Sequence, residues 1–127
     1  MSDLTSLAGL RVFAVEDESL VAMQLEDILD DLACTNAGFA MRVDRALSMI
    51  DAAPGIDAAI LDMNVAGVKV YPVAERLRSL DIPIVFATGY GLDGIDTEWR
   101  VYPVLQKPYT AEQIGRALQD ALRLTNK

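Results

Sequence analysis

The chain has 127 residues, 52% of them apolar, with 11 basic and 19 acidic side chains and a formal net charge of −8, which is enough for one buried core and too little for two domains. Such a charge repels phosphate backbones and anionic membrane surfaces, so neither nucleic acid nor lipid is an expected partner and a cation is the better ligand. With no histidine and one cysteine, Cys34, the chain has no His-based zinc site, no His-based triad and no internal disulfide.

Leu10 to Val15 is a short apolar run, partly β-branched, that stops at Glu16, Asp17 and Glu18; it reads as a buried strand meeting an acidic loop. Val21, Leu25, Ile28, Leu29 and Leu32 then recur at helical spacing with acids between them, the pattern of an amphipathic helix. Thr35 to Ala40 is a weaker strand. A second helix carries Val43, Ala46, Leu47 and Ile50 and stops at Pro54 and Gly55.

The alternation continues. Ala58 to Leu61 is a strand ending in Asp62; a loop through Gly67 leads to a third helix with Val70, Val73, Ala74, Leu77 and Leu80, where Pro72 fits only the first turn. Ile84 to Ala87 is a fourth strand, ending at Thr88 and opening into a glycine-rich segment, Gly89 to Gly94, which is a poor helix start. A short or mobile fourth helix is expected over Ile95 to Arg100, a fifth strand over Val101 to Leu105, and, after Lys107 and Pro108, a capping box of Thr110 and Gln113 that starts a last helix.

Five apolar strands alternating with helical segments imply parallel βαβ units with both sheet faces covered, a doubly wound α/β domain. We expect a single domain over residues 1–127 with no effector domain. The N-terminus lacks the basic and apolar regions of a secretory signal, and no apolar run nears the roughly 20 residues of a membrane span; the expected location is cytoplasmic.

In such a sheet ligands bind outside the carboxyl ends of the strands. Those ends carry Glu16 and Asp17, Asp62, Thr88 and Lys107. Carboxylates held together repel by ~4 kcal/mol per pair at about 4 Å and an effective dielectric of 20, and a hard divalent ion such as Mg²⁺ relieves this while leaving a position for a phosphate oxygen. With Lys107 and the Thr88 hydroxyl for other phosphoryl oxygens, the set suits phosphoryl transfer, with Asp62 as nucleophile.

These residues, in this order and each at a strand end, resemble those of the bacterial response-regulator receiver domain over essentially the whole chain. The resemblance implies a flavodoxin-like (βα)5 sheet of order 2-1-3-4-5. It further implies that Asp17 and Asp62 bind Mg²⁺ directly, Glu16 through water and Asn64 through its carbonyl. Thr88 would sense the phosphoryl group on Asp62, Lys107 would pair with it, and the Lys107–Pro108 peptide would be cis. Phe86-Ala87-Thr88-Gly89-Tyr90-Gly91 and Tyr71-Pro72-Val73-Ala74 are similar to the Phe-Ala-Thr-Gly-Tyr subgroup of receivers, commonly partnered with histidine kinases of the HWE or HisKA2 kind. On that reading the chain is a two-component phosphorelay protein that accepts a phosphoryl group from a phosphohistidine on a kinase or phosphotransferase and then alters the binding of a downstream protein. It catalyses only its own phosphorylation and dephosphorylation and is not otherwise an enzyme. The first helix and the loop at Pro108 and Tyr109 would meet the kinase; the face formed by the fourth helix, fifth strand and fifth helix would serve output or homodimerisation.

Two departures stand out. Receivers usually place Tyr or Phe three residues before the lysine, and Val104 stands there, with Tyr102 two residues earlier; the segment Gly89 to Gly94 becomes the expected moving part. Glu16 stands where many receivers have Asp. Tyr90, two residues after Thr88, is expected to govern access of water to the acyl phosphate. Cys34 and Met23, Met41, Met49 and Met63 read as core or gap-filling residues, Trp99 as a half-buried anchor, and Glu18 as a solvated loop charge. The competing function is a pseudo-receiver, an interaction module independent of phosphorylation. A phosphatase of the haloacid dehalogenase type is disfavoured, because Asp62 follows the third strand and its second neighbour is Asn64, not Asp.

Overall fold

The computed structural model describes residues 7–52, 55–89 and 94–125. Its main sheet is formed by β1 (Arg11–Val15), β2 (Thr35–Ala40), β3 (Ala58–Asp62), β6 (Ile84–Thr88) and β7 (Val104–Gln106) in the order β2-β1-β3-β6-β7, every pair parallel. This is the expected 2-1-3-4-5 order. A small antiparallel hairpin, β4 (Asn64–Val65) and β5 (Val68–Lys69), lies between β3 and the third helix. The helices are α1 (Ser19–Asp31), α2 (Val43–Ala52), α3 (Tyr71–Ser79) and α4 (Ala111–Thr125).

Alternating strand residues face two cores. Phe13, Val15, Ala59, Leu61, Ile84 and Phe86 pack with Ala46 and Ile50 of α2 and Val73, Ala74 and Leu77 of α3. Val12, Ala14, Ala58, Ile60, Val85 and Ala87 pack with Leu25, Ile28 and Leu29 of α1 and Ile114 and Leu118 of α4. Because each central strand is covered on both sides, it reads as an unbroken apolar run. The chain leaves β1 toward one face and β3 toward the other, which opens a crevice beyond their carboxyl ends.

Local chemistry sets several boundaries. Pro72 lies in the first turn of α3, where its missing N–H costs nothing. Thr110 and Gln113 bond reciprocally, Thr110 N to Gln113 Oε1 at 2.9 Å and Gln113 N to Thr110 Oγ1 at 3.2 Å, so the capping box is real. On β2, Gly38 has φ +146°, and a Cβ there would lie 3.0 Å from the Phe13 ring; the β1–β2 register shifts between Val12 and Phe13.

The short fourth helix expected over Ile95 to Arg100 is the 3-10 helix Thr97–Trp99. Other expectations need correction. The fifth main strand starts at Val104, not Val101, because Tyr102 N bonds back to Trp99 O and the proline at 103 has no N–H for a ladder. The stretch after Asp62 is a hairpin, not a plain loop. Met23 and Met41 are exposed, at 60% and 43%, whereas Met63 is buried. Cys34 is half-buried, its Sγ 3.6 Å from Leu7 O, and burial pushes its thiol pKa up. Trp99, expected to be half-buried, is fully enclosed, because it packs among Tyr71, Phe86 and Tyr102. No helix among the described residues is long and apolar enough to cross a membrane.

Candidate functional site

Glu16 follows β1 directly, and its N–H is fixed by Ala40 O of β2 at 3.0 Å. Asp62 ends β3 and Thr88 ends β6, and all three side chains are buried. Lys107 follows β7, its N–H bonded to Thr88 O at 2.9 Å, and the Lys107–Pro108 peptide is cis. Strand ends thus bring to one place residues that are up to 91 positions apart in sequence.

Lys107 Nζ lies 3.0 Å from Asp62 Oδ2 and 3.1 Å from Glu16 Oε1, with Glu18 Oε1 further off at 3.9 Å. Glu18 itself is exposed, as expected of a solvated loop charge. The second oxygen of Glu16 accepts the Glu18 N–H at 3.2 Å. One ligand atom each from Glu16, Asp17 and Asp62 lies within 4.8 Å of the others.

The ionisation follows from that crowding. Burial first, and then the Asp62 charge, push Glu16 up to about 7, although Lys107 pulls the other way. Burial likewise raises Asp62, partly countered by its hydrogen bond to Lys107. For Lys107 burial alone would favour the neutral amine, but the bonds to Asp62 and Glu16 outweigh it and its pKa is raised. Fully ionised, three carboxylates against one ammonium leave two negative charges, which one divalent cation balances. The donor set is entirely oxygen, and the cluster borders an open crevice of about 430 Å³ lined by Asp17, Asp62, Asn64, Thr88, Gly89 and Lys107 among others. These residues fit Mg²⁺, which prefers oxygen ligands and keeps several waters.

Asn64 sits at the crevice rim, exposed, at the start of β4. Tyr90 and most of the glycine-rich segment lie outside the described residues, and so do the expectations placed on them. One participant escaped sequence reasoning, and another was named there only as part of a kinase-facing loop. Ala66 N–H in the hairpin turn donates to Asp17 Oδ2 at 2.9 Å. Tyr109 is buried behind the cluster, and burial and the Glu16 charge push its phenol up to about 12. The aromatic after Lys107-Pro108 was visible, but its burial was not.

Val104 pairs with Phe86 across the sheet, and no aromatic ring stands at that position. Nearby rings form a different cluster: Trp99 stacks on Tyr71 and on Tyr102, each with centroids 5.8 Å apart, and meets Phe86 edge-on at 5.9 Å. The Arg78 guanidinium lies 4.2 Å from the Trp99 ring centroid, and the Asp96 N–H donates to the Tyr71 hydroxyl at 2.7 Å.

No family model and no curated protein matches the chain. Solved structures do match. The receiver domain of the response regulator PhyR from Erythrobacter litoralis shares the fold with a TM-score of 0.82 over 96% of each chain, at 24% identity. SdrG from Sphingomonas melonis Fr1 is 46% identical, with a TM-score of 0.81, and the match covers 96% of this chain and 99% of that one. The chain belongs to the response-regulator receiver family. A further solved structure, of the BeF3-activated conformation of SdrG from Pseudomonas melonis Fr1, matches at the same identity and coverage with a TM-score of 0.77.

Proposed function

We propose that this receiver is a phosphorelay component in which Asp62 accepts a phosphoryl group from a phosphohistidine of a histidine kinase or phosphotransferase. The observation that carries the reading is the placement of Asp62, at the end of the central strand and at the crevice, with Lys107 3.0 Å from one of its oxygens and Glu16 and Asp17 beside it. An Asp62 oxygen attacks phosphorus and a new O–P bond forms while the P–N bond breaks; the donor ring, already protonated on its other nitrogen, takes the P–N electron pair and leaves as neutral imidazole. Lys107 then transfers its ion pair from the carboxylate to a phosphoryl oxygen, and the Thr88 hydroxyl meets another. Glu16, Asp17, Asp62 and Asn64 would hold Mg²⁺, which when bound spreads positive charge over the transferring oxygens.

The donor's chemistry is suggested by charge. Residues 16–31 include seven acids and no base, and α1 exposes Leu20 and Met23 at 81% and 60% beside them. A donor surface with an apolar centre and a basic rim complements this face. The Phe-Ala-Thr-Gly-Tyr segment supports a kinase of the HWE or HisKA2 kind, the net charge of −8 speaks against nucleic acid as a partner, and the single cysteine fits a reducing, cytoplasmic setting. Homodimerisation through the β7 and α4 side belongs to the same proposal.

Val104 favours a second reading, an interaction module that works without phosphorylation, because a valine cannot swing a ring toward the site. Intact-protein mass spectrometry with Mg²⁺ and acetyl phosphate separates the two. A hydroxylamine-labile phosphoryl adduct on the native chain, missing from Asp62→Asn, is the expected result. No adduct with acetyl phosphate and none with a phosphorylated cognate kinase would leave the interaction module.

A further inference from the structure

We propose that the main-chain N–H of Ala66, in the β4–β5 hairpin, is a positioning group for the cation ligand Asp17; this rests on the reading above that the cluster takes Mg²⁺. The bond is long-range, 49 residues apart, at 2.9 Å. It ties the acidic loop after β1 to the hairpin. The turn is built for it: Ala66 and Gly67 both have positive φ, +52° and +81°, the two-residue geometry whose twist suits a tight hairpin. The hairpin is anchored below by Val65, which is fully buried, and by Val70 N bonded to Met63 O at 3.0 Å. The donor therefore approaches Asp17 from a framed loop.

The consequence concerns orientation. An Asp side chain at the edge of a crevice has free rotamers. With Oδ2 held by the Ala66 N–H, its torsions are restricted while the carboxylate keeps lone pairs for the ion. Groups that orient a metal ligand in this way change affinity by roughly tenfold to a hundredfold when removed. By linkage, the bound ion strengthens the hairpin contact in return.

The test replaces Ala66 by its α-hydroxy analogue, which exchanges the N–H for an ester oxygen and keeps the methyl group, and uses Ala66→Gly as the variant that keeps the donor. Mg²⁺ affinity is measured by isothermal titration, and thermal unfolding in chelator reports any purely structural effect. We expect Mg²⁺ binding weakened about tenfold or more in the ester and near native in Ala66→Gly. In the native chain, where no variant need fold, saturating Mg²⁺ should slow hydrogen exchange severalfold more at Ala66 than at Lys69 across the same hairpin. An ester variant that binds as tightly as the native chain, or equal slowing at the two amides, overturns this inference alone. A native chain that binds no Mg²⁺ overturns the parent reading with it.

Discussion

Glu16 carries the largest conflict in the molecule: it is 2% exposed and lies beside another carboxylate. Its native pKa of about 7 exceeds the ordinary 4.5, so without metal the folded chain holds a proton that the unfolded chain releases. Stability must therefore fall as pH rises from about 4.5 through about 7 and then level off. Asp62, also raised, adds to the loss; Lys107, raised from 10.5, matters only above that range. In chelator the unfolding free energy should drop by on the order of 1–3 kcal/mol between about pH 5 and pH 8, and Glu16→Gln should remove most of that slope. A flat profile for the native chain would show that Glu16 is not protonated in the fold. The same crowding sets the role of Lys107. Lys107→Ala leaves two buried carboxylates without their ammonium and should cost about 3–5 kcal/mol in chelator at pH 8, part of it recovered by Mg²⁺; urea unfolding would check it, and a loss below about 1 kcal/mol would mean that water already screens the pair.

At the scale of elements, the link between β6 and β7 is secured by rings. Trp99 lies between Tyr71 at the start of α3 and Tyr102 before β7, with Phe86 at its edge and Arg78 above. Trp99→Ala should destabilise the chain by about 3–5 kcal/mol, read by thermal or urea unfolding; a cost under about 1 kcal/mol would mean that the turn Thr97–Trp99 is held by its backbone and not by the ring. Strongly patterned elements were legible in sequence: α1 from Val21, Leu25, Ile28 and Leu29, and the last helix from its capping box. The β4–β5 hairpin was not, because two strands of two residues offer no alternation to detect and an Ala-Gly turn lacks the Asn or Asp that usually announces such a bend. The late start of β7 was hidden too, since Val101 and Tyr102 look like strand residues until the turn at Trp99 claims them.

For the whole molecule, charge is distributed unevenly. Six of the seven acids of residues 16–31 lie outside the buried Glu16–Lys107 pair, in the loop after β1 and in α1, against a net charge of −8 for the whole chain. If the phosphodonor docks there, the phosphotransfer rate at sub-saturating donor should fall severalfold or more between about 20 mM and 300 mM salt through slower association, as stopped-flow or quench kinetics would show; a salt-independent rate would place docking elsewhere. The sequence by itself determined the doubly wound class and the identity of the cluster, because apolar strands alternating with helices, four of them running into polar residues, leave few arrangements for the chain. Glu16, Asp17, Asp62, Thr88 and Lys107 could be named from those ends alone. Tertiary structure alone decided the distances, the burial that lifts Glu16, the ring cluster in place of an aromatic at Val104, and the Ala66 amide on Asp17. Each of these is a relation between segments dozens of residues apart, set by sheet register and packing, which no local pattern encodes.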